Sequence, residues 1–222
     1  MKKIAVIRTD FKEKFGIPRQ SGLVPELIGK IYFEPEYRNP DALKGLEEFN
    51  YIWLIWEFSE TKMEDFRASV RPPRLGGNLH IGVFATRAPY RPNPIGLSCV
   101  RLLDISETDD GPVLTVGGAD ILDKTAIYDI KPYIPYTDMK PDAAEGFTSH
   151  TKLHKLDVVI PDEILKKIPK DKRKALISVL AEDPRPSYQS KDTDRVYGMV
   201  FSDFEVKFKV SENVLTVISL LL

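Results

Sequence analysis

Residues 51–58, YIWLIWEF, form an unbroken aromatic and β-branched run with a single charge near its end. A run this short and this apolar suits a strand buried on both faces. Similar short runs recur around it: IAVIRT (4–9), LHIGVFAT (79–86), IGLSCVRLLDI (95–105), PVLTVGG (112–118), ADIL (119–122) and IYDIKPY (127–133). Asp109-Asp110-Gly111 separates two of them and is a hairpin signal. The one helical stretch expected here is DALKGLEEF (41–49), with Asp41 as its N-cap. Many short strands with turn residues between them predict a barrel or sandwich.

Composition changes after Tyr136. TDMKPDAAEGFTSHTK (137–152) is polar and without periodicity, as a linker is. Beyond it, Pro161 to Ile168 predicts a short helix, and Lys170 to Ala181 a longer one with Leu176, Ile177 and Leu180 as its apolar stripe. The segments RVYGMVFSDFEVKFKV (195–210) and NVLTVISLLL (213–222) predict a hairpin. FEVKFKV alternates, so its strand should have one wet face. The fold class expected is mainly β, an N-terminal antiparallel barrel over 1–137 followed by a small α+β domain over 153–222.

Charge is distributed unevenly. Phe66 to Leu103 holds six of the chain's 12 arginines, none of its 20 lysines and none of its 33 acids. Arginine presents a planar fork that pairs with phosphate or carboxylate, which lysine cannot match. The net charge of −1 means that a polyanion would have to be met by this local patch and not by the whole field. Structural ion pairing with acids elsewhere is the competing explanation, and the two stand level on composition alone. Arg67 and Arg101 lie outside the tight loops RPPRLGGN and ATRAPYRPNPIG and fit surface or structural charge.

Other chemistries find little support. There is no phosphate-cradling loop and no G-x-G-x-x-G after a strand, so a doubly wound cofactor fold is not indicated. His150 and His154 are four apart but lie in the polar linker with no glutamate between them, which does not make a zinc pair, and no metal is expected. The lone Cys99 sits in an apolar run and fits packing, and a single cysteine accords with a reducing, cytoplasmic compartment.

Taken in order, KEKFGIPRQSGL, RPPRLGGN, GVFATRAPYRPNPIGLS, DILDKTAIYDIKPY and AEDPRPSY resemble the TsaA-like, or TrmO, family along nearly the whole chain. The family's members are S-adenosylmethionine-dependent tRNA methyltransferases that act on N6 of threonylcarbamoyladenosine, next to the anticodon. The resemblance implies a non-Rossmann barrel that binds the cofactor, a small C-terminal domain, a homodimer, and the tRNA anticodon stem-loop as partner. It implies a cofactor pocket built from Pro18, Arg19 and Gln20, from Ser59 and Glu60, from Arg87 and Leu97, and from Asp123, Lys124, Thr125 and Ala126. Family enzymes often carry His-Gln in place of Ser59-Glu60 and Asp-Gly-Thr-Pro in place of Asp123 to Ala126.

Under that resemblance the methionine carboxylate of the donor suits Arg87 or Arg19, and its ribose hydroxyls suit Asp123 or Glu60. Arg71, Arg74 and Arg91 are candidates for stem phosphates or the threonyl carboxylate, and Arg185 and Tyr188 for phosphate contact and base stacking from the tail. The N6 nitrogen belongs to a urea and is a poor nucleophile, so a proton must leave. Tyr90 and Asp183 are candidates to assist, as is the substrate's own carboxylate. A methyltransferase acting on a small carboxylated substrate and a non-catalytic RNA-binding module are the alternatives.

Overall fold

The computed structural model of the chain describes residues 1–61, 66–72, 79–150, 155–185 and 195–221. Strands β1 (Ala5–Arg8), β2 (Ile28–Phe33), β3 (Tyr51–Glu57), the short pair β4 (Ser69–Val70) and β5 (Ile81–Gly82), β6 (Ile95–Thr108), β7 (Gly111–Gly117) and β8 (Ala126–Pro132) make up the first part. Six of them close into a barrel in the order β1-β2-β7-β6-β3-β8, every pairing antiparallel. Closure removes both sheet edges, which is how a barrel avoids unpaired backbone. Ile7, Ile31, Ile52, Leu54, Val100, Leu114, Val116 and Ile127 fill the interior. The expected Asp-Asp-Gly hairpin joins β6 to β7, with Thr108 opposite Gly111.

Several local expectations change in this setting. β3 is buried on one face only: Ile52, Leu54 and Trp56 point into the barrel, while Tyr51, Trp53 and Ile55 point outward. Both of its edges are taken, by β6 and β8, so LHIGVFAT finds no barrel edge to join. Only Ile81 and Gly82 of that run are paired, with β4, and a 3-10 turn (Val83–Ala85) follows. ADIL is likewise not a strand. It carries the chain from β7 back across the barrel end, with Thr9 Oγ1 donating to the Ile121 carbonyl at 2.9 Å. The 41–49 segment forms two 3-10 turns, Pro40–Leu43 and Leu46–Glu48, and the cap is Asn39, whose side chain accepts the Asp41 N–H at 3.0 Å.

The polar 137–152 stretch is framed by a single helical turn, α1 (Pro135–Asp138), and a 3-10 turn (Gly146–His150). The tail then contains β9 (Asp157–Val159), α2 (Asp162–Leu165), α3 (Lys170–Ala181), β10 (Tyr197–Phe201), β11 (Phe204–Ser211) and β12 (Val214–Leu221). Its sheet runs β10-β11-β12-β9, and β9, absent from the expected elements, lies parallel to β12. The 195–210 segment is a hairpin in itself, turning at 202–203. FEVKFKV does keep a buried and a wetter face. On α3 the buried stripe is Ala175, Leu176, Val179 and Leu180, whereas Ile177 is exposed.

Barrel and tail are packed together through one loop. The tail's core is completed by Phe11, Val24 and Leu27, which come from the long connection between β1 and β2. Gly16, in the same connection, has φ +95° and lies so close to the tail that a Cβ there would sit 2.1 Å from Met199 Sδ. Lys172 of α3 grips both carboxylate oxygens of Asp10 at 2.7 Å. The loop that carries Pro18, Arg19 and Gln20 is therefore buttressed from behind by the tail sheet.

Candidate functional site

A cavity of about 480 Å³ opens at one end of the barrel, within the size range of small-molecule sites, roughly 300–1,000 Å³. Four segments converge on it. The β1–β2 connection brings Pro18, Arg19 and Gln20, and the turn after β3 brings Ser59 and Glu60. The loop before β6 brings Arg87 and Arg91, and the β7–β8 connection brings Asp120 and Thr125. Trp56, Phe58 and Leu97 add apolar surface, with the Trp56 and Phe58 rings 4.4 Å apart. Eight of the eleven residues expected to hold a cofactor thus meet in one place.

The loops are tied down by specific bonds. Arg87 Nη1 donates to Gln20 Oε1. Ser21 Oγ accepts the Cys99 N–H at 3.1 Å, which pins the Pro-Arg-Gln loop to β6. Lys14 Nζ donates to the Glu60 carbonyl at 2.9 Å and lies 3.4 Å from its carboxylate, bracing the turn after β3. Arg91 Nη1 donates to the Val83 and Thr86 carbonyls at 3.0 and 2.8 Å, and its guanidinium lies over the exposed Phe84 ring. Arg91 therefore shapes the turn that presents Arg87, besides lining the cavity. On the outer wall Trp53 Nε1 donates to Asp138 Oδ2 at 3.0 Å. The Ile134 N–H, together with this bond, holds the Asp138 carboxyl below the usual carboxylate range.

Other expected residues fall outside the cavity lining. Asp123 accepts from Arg8 Nε at 2.9 Å and from the Thr9 N–H at 3.0 Å, so its carboxylate ties the barrel end together. Ala126 lies in β8 opposite Val6. Lys124 has φ +65° and donates its N–H to the Ile7 carbonyl at 2.9 Å. This left-handed position explains why glycine is common there in the resembling family. Left-handed backbone costs a side-chain-bearing residue about 1–2 kcal/mol, partly offset by glycine's extra unfolded-state entropy of roughly 0.5–1 kcal/mol. Lys124→Gly should therefore raise stability by about 0.5–1 kcal/mol. A higher denaturant midpoint at unchanged slope is the expected reading, and a lower midpoint would refute the strain assignment.

The arginines and proton acceptors also sort themselves. Arg71 Nε donates to His80 Nε2 at 2.9 Å on an exposed surface. Arg67 lies over the Tyr90 ring, 5.2 Å from its centroid, and Tyr90 stands outside the cavity lining. Arg185 is 4% exposed and grips Asp183 through two bonds, Nε to Oδ1 at 2.8 Å and Nη2 to Oδ2 at 3.0 Å. The guanidinium is thus turned inward, and the carboxylate is engaged by it. The Arg185 carbonyl in turn faces Arg19 Nη2 at 3.4 Å, so the tail turn reaches the cofactor loop. Arg74, Tyr188 and His154, with the side chain of His150, lie outside the described residues.

Sequence reasoning missed a buried chain of side chains at the cavity floor. Trp56 Nε1 donates to Ser98 Oγ at 3.0 Å, and Ser98 Oγ donates to Asp120 Oδ1 at 2.6 Å. Burial pushes the Asp120 carboxyl up from the usual carboxylate range, outweighing Ser98, the backbone N–H groups of Asp120 and Ser21, and the Arg87 guanidinium, which all pull it down. Elsewhere in the cavity lining, Glu57 accepts the Tyr128 hydroxyl, a bond that pushes the phenol's titration upward. An aspartate inside an apolar tetrapeptide is the one local signal that could have marked this position.

Comparison with known proteins finds relatives along nearly the whole chain. The family model for the tRNA-methyltransferase O N-terminal domain matches residues 6–139, and that for the TrmO C-terminal domain matches 154–221. The tRNA (adenine(37)-N6)-methyltransferase of Escherichia coli (strain K12) is 39% identical over 217 residues, covering 95% of this chain and 92% of that protein. A Pyrococcus abyssi protein named for S-adenosyl-L-methionine binding is 38% identical over 154 residues, covering 69% of this chain and 78% of its own. A crystal structure of TrmO superimposes with a TM-score of 0.78 at 32% identity, covering 98% of this chain and 96% of that one.

Proposed function

Because the chain belongs to the tRNA-methyltransferase O family, we propose that it is an S-adenosylmethionine-dependent tRNA (adenine-N6) methyltransferase acting on threonylcarbamoyladenosine beside the anticodon. The observation that carries this reading is the meeting of the Pro-Arg-Gln loop, the turn after β3 and Arg87 around one cavity. The residues there fit the donor. Arg87, held by Gln20, and Arg19 suit a carboxylate, while Trp56, Phe58 and Leu97 suit the apolar parts of the ligand and a sulfonium that guanidinium would repel. When bound, S-adenosylmethionine supplies an electrophilic methyl group at a cationic sulfur.

The chain contributes alignment, since methyl transfer needs its reacting atoms nearly collinear and close. Barrel strands hold Trp56 and Leu97 in fixed register, and loops anchored to the tail hold Arg19 and Gln20. For the RNA we propose the rim formed by Arg71, Arg91 and the 70%-exposed Phe84, whose ring stacks with Phe66 at 5.9 Å. Exposed aromatics beside arginines suit splayed bases of an anticodon loop. We also propose that the barrel unit, 1–137, carries donor and acceptor while the tail unit, 153–222, buttresses it. Two such chains associate as a cytoplasmic homodimer.

Incubation with S-adenosylmethionine and tRNA, followed by nucleoside mass spectrometry, should add one methyl to threonylcarbamoyladenosine. Binding of the tRNA should weaken steeply with salt, as phosphate contacts require. Absence of any methylated nucleoside would overturn the reading.

A further inference from the structure

Methylating the urea-type N6 nitrogen requires a proton to leave, and the two side chains that the sequence suggests for it stand elsewhere. Asp183 is gripped by the buried Arg185, and Tyr90 lies outside the cavity lining. Among the described residues, three carboxylates line the cavity: Glu57, Glu60 and Asp120. Glu57 accepts the Tyr128 hydroxyl, and Glu60 is half-exposed and paired with Lys14 at 3.4 Å. Each of these two carboxylates thus already has a partner of its own.

Asp120 differs in geometry as well as in charge. The indole N–H of Trp56 can only donate, so Ser98 Oγ must accept there and direct its own proton to Asp120 Oδ1. This one-way chain fixes the carboxyl's rotation, and the backbone N–H groups of Asp120 and Ser21 also bear on the carboxylate. Both anchors, Trp56 on β3 and Ser98 on β6, lie on neighbouring barrel strands, so the carboxyl of this loop residue is held from rigid elements.

Resting on the proposed function above, we propose that Asp120 is the catalytic proton acceptor of the methyl transfer. The N6 nitrogen forms its bond to the methyl carbon as the carbon–sulfur bond breaks with its electron pair left on sulfur. The N6–H bond breaks with its pair retained by nitrogen, and the proton goes to the Asp120 carboxylate. Charge balances, since one cation and one anion become two neutral groups. A base whose affinity for the proton has been raised by burial is better matched to operation near neutrality. The Arg87 guanidinium acts on it across the cavity and opposes part of the upward push of burial.

The test uses the full-length protein and tRNA carrying threonylcarbamoyladenosine. Asp120→Asn keeps the Ser98 bond and the shape. It should lower kcat by about 100-fold or more, the usual worth of a general base, and lose the rise of rate with pH. Calorimetry should show its affinity for S-adenosylmethionine within about threefold of wild type, well under the tenfold that corresponds to 1.4 kcal/mol. Ser98→Ala removes a donor that pulls the carboxyl down. Its rate-versus-pH midpoint should therefore move to higher pH, and carbon-13 NMR titration of the Asp120 carboxyl should move with it.

Retention of kcat by Asp120→Asn within tenfold, or a loss confined to donor affinity, would overturn the inference. An unchanged pH profile in either variant would do the same. Wild-type turnover in the same assay separates these outcomes from failure of the proposed function, which would remove the inference with it.

Discussion

Gly96→Ala is expected to lose about 2–4 kcal/mol of stability, the sum of an overpacking cost and one buried hydrogen bond. A Cβ at this position would sit 2.2 Å from Trp56 Cε2 and 2.5 Å from Cδ2 and Cζ2. Gly96 and Trp56 are directly opposed in the β3–β6 register, and both strands have paired neighbours, so the backbone cannot move aside. The indole must leave its place, and its Nε1–H bond to Ser98 goes with it. A chain of this size should melt lower by roughly 5–15 °C. Donor affinity should fall at least tenfold, because the displaced ring forms the cavity floor. Trp56→Phe combined with Gly96→Ala should recover part of the stability lost by Gly96→Ala alone, a coupling readable in a double-mutant cycle. A loss below about 0.5 kcal/mol, the ordinary surface range, would show that the strands adjust after all.

Arg185→Met is the second large effect. Breaking a buried ion pair by removing one partner typically costs about 3–5 kcal/mol, since the remaining charge stays out of water. Arg185 is 4% exposed, and its bidentate grip on Asp183 is held within a turn where Asp183 itself has φ +51°. Releasing it should loosen the tail turn and shift the Arg185 carbonyl away from Arg19. Both the denaturation midpoint and the affinity for S-adenosylmethionine should therefore drop. A solvent-facing RNA contact makes the opposite forecast: unchanged stability, weaker tRNA binding and a shallower salt dependence. Equilibrium denaturation alongside tRNA binding at several salt concentrations decides between them, and intact stability would return Arg185 to the RNA surface.

Much of the fold is legible in short stretches of chain. The runs that became β1, β3, β6, β7 and β8 announce themselves by β-branched and aromatic content, and Asp109-Asp110-Gly111 announces the turn between β6 and β7. FEVKFKV shows its two faces by simple alternation. The errors share a cause. LHIGVFAT and ADIL have strand composition, yet closure of the barrel leaves no edge for them. The outer face of β3 escapes full burial because barrel strands have one interior side, and an apolar run cannot say which residues will face it.

The cavity is legible to a different degree. The loops Pro18–Gln20, Ser59–Glu60 and Arg87 are picked out by the family resemblance, and it is the folded barrel that brings them to one cavity. Local chemistry along the chain thus determines which segments are strands, which are turns, and which residue types can hold a ligand with a carboxylate and an apolar body. The opposing fates of Asp123, Asp183 and Asp120 are another matter, for all three are aspartates next to a turn. The first closes the barrel against Arg8, the second pairs with a buried arginine, and the third faces the cavity from behind Ser98. A carboxylate's role depends on its distance from water and from other charges, and these come from residues as much as 115 positions away. Strand register and barrel closure set those distances, so the roles exist only in the folded molecule.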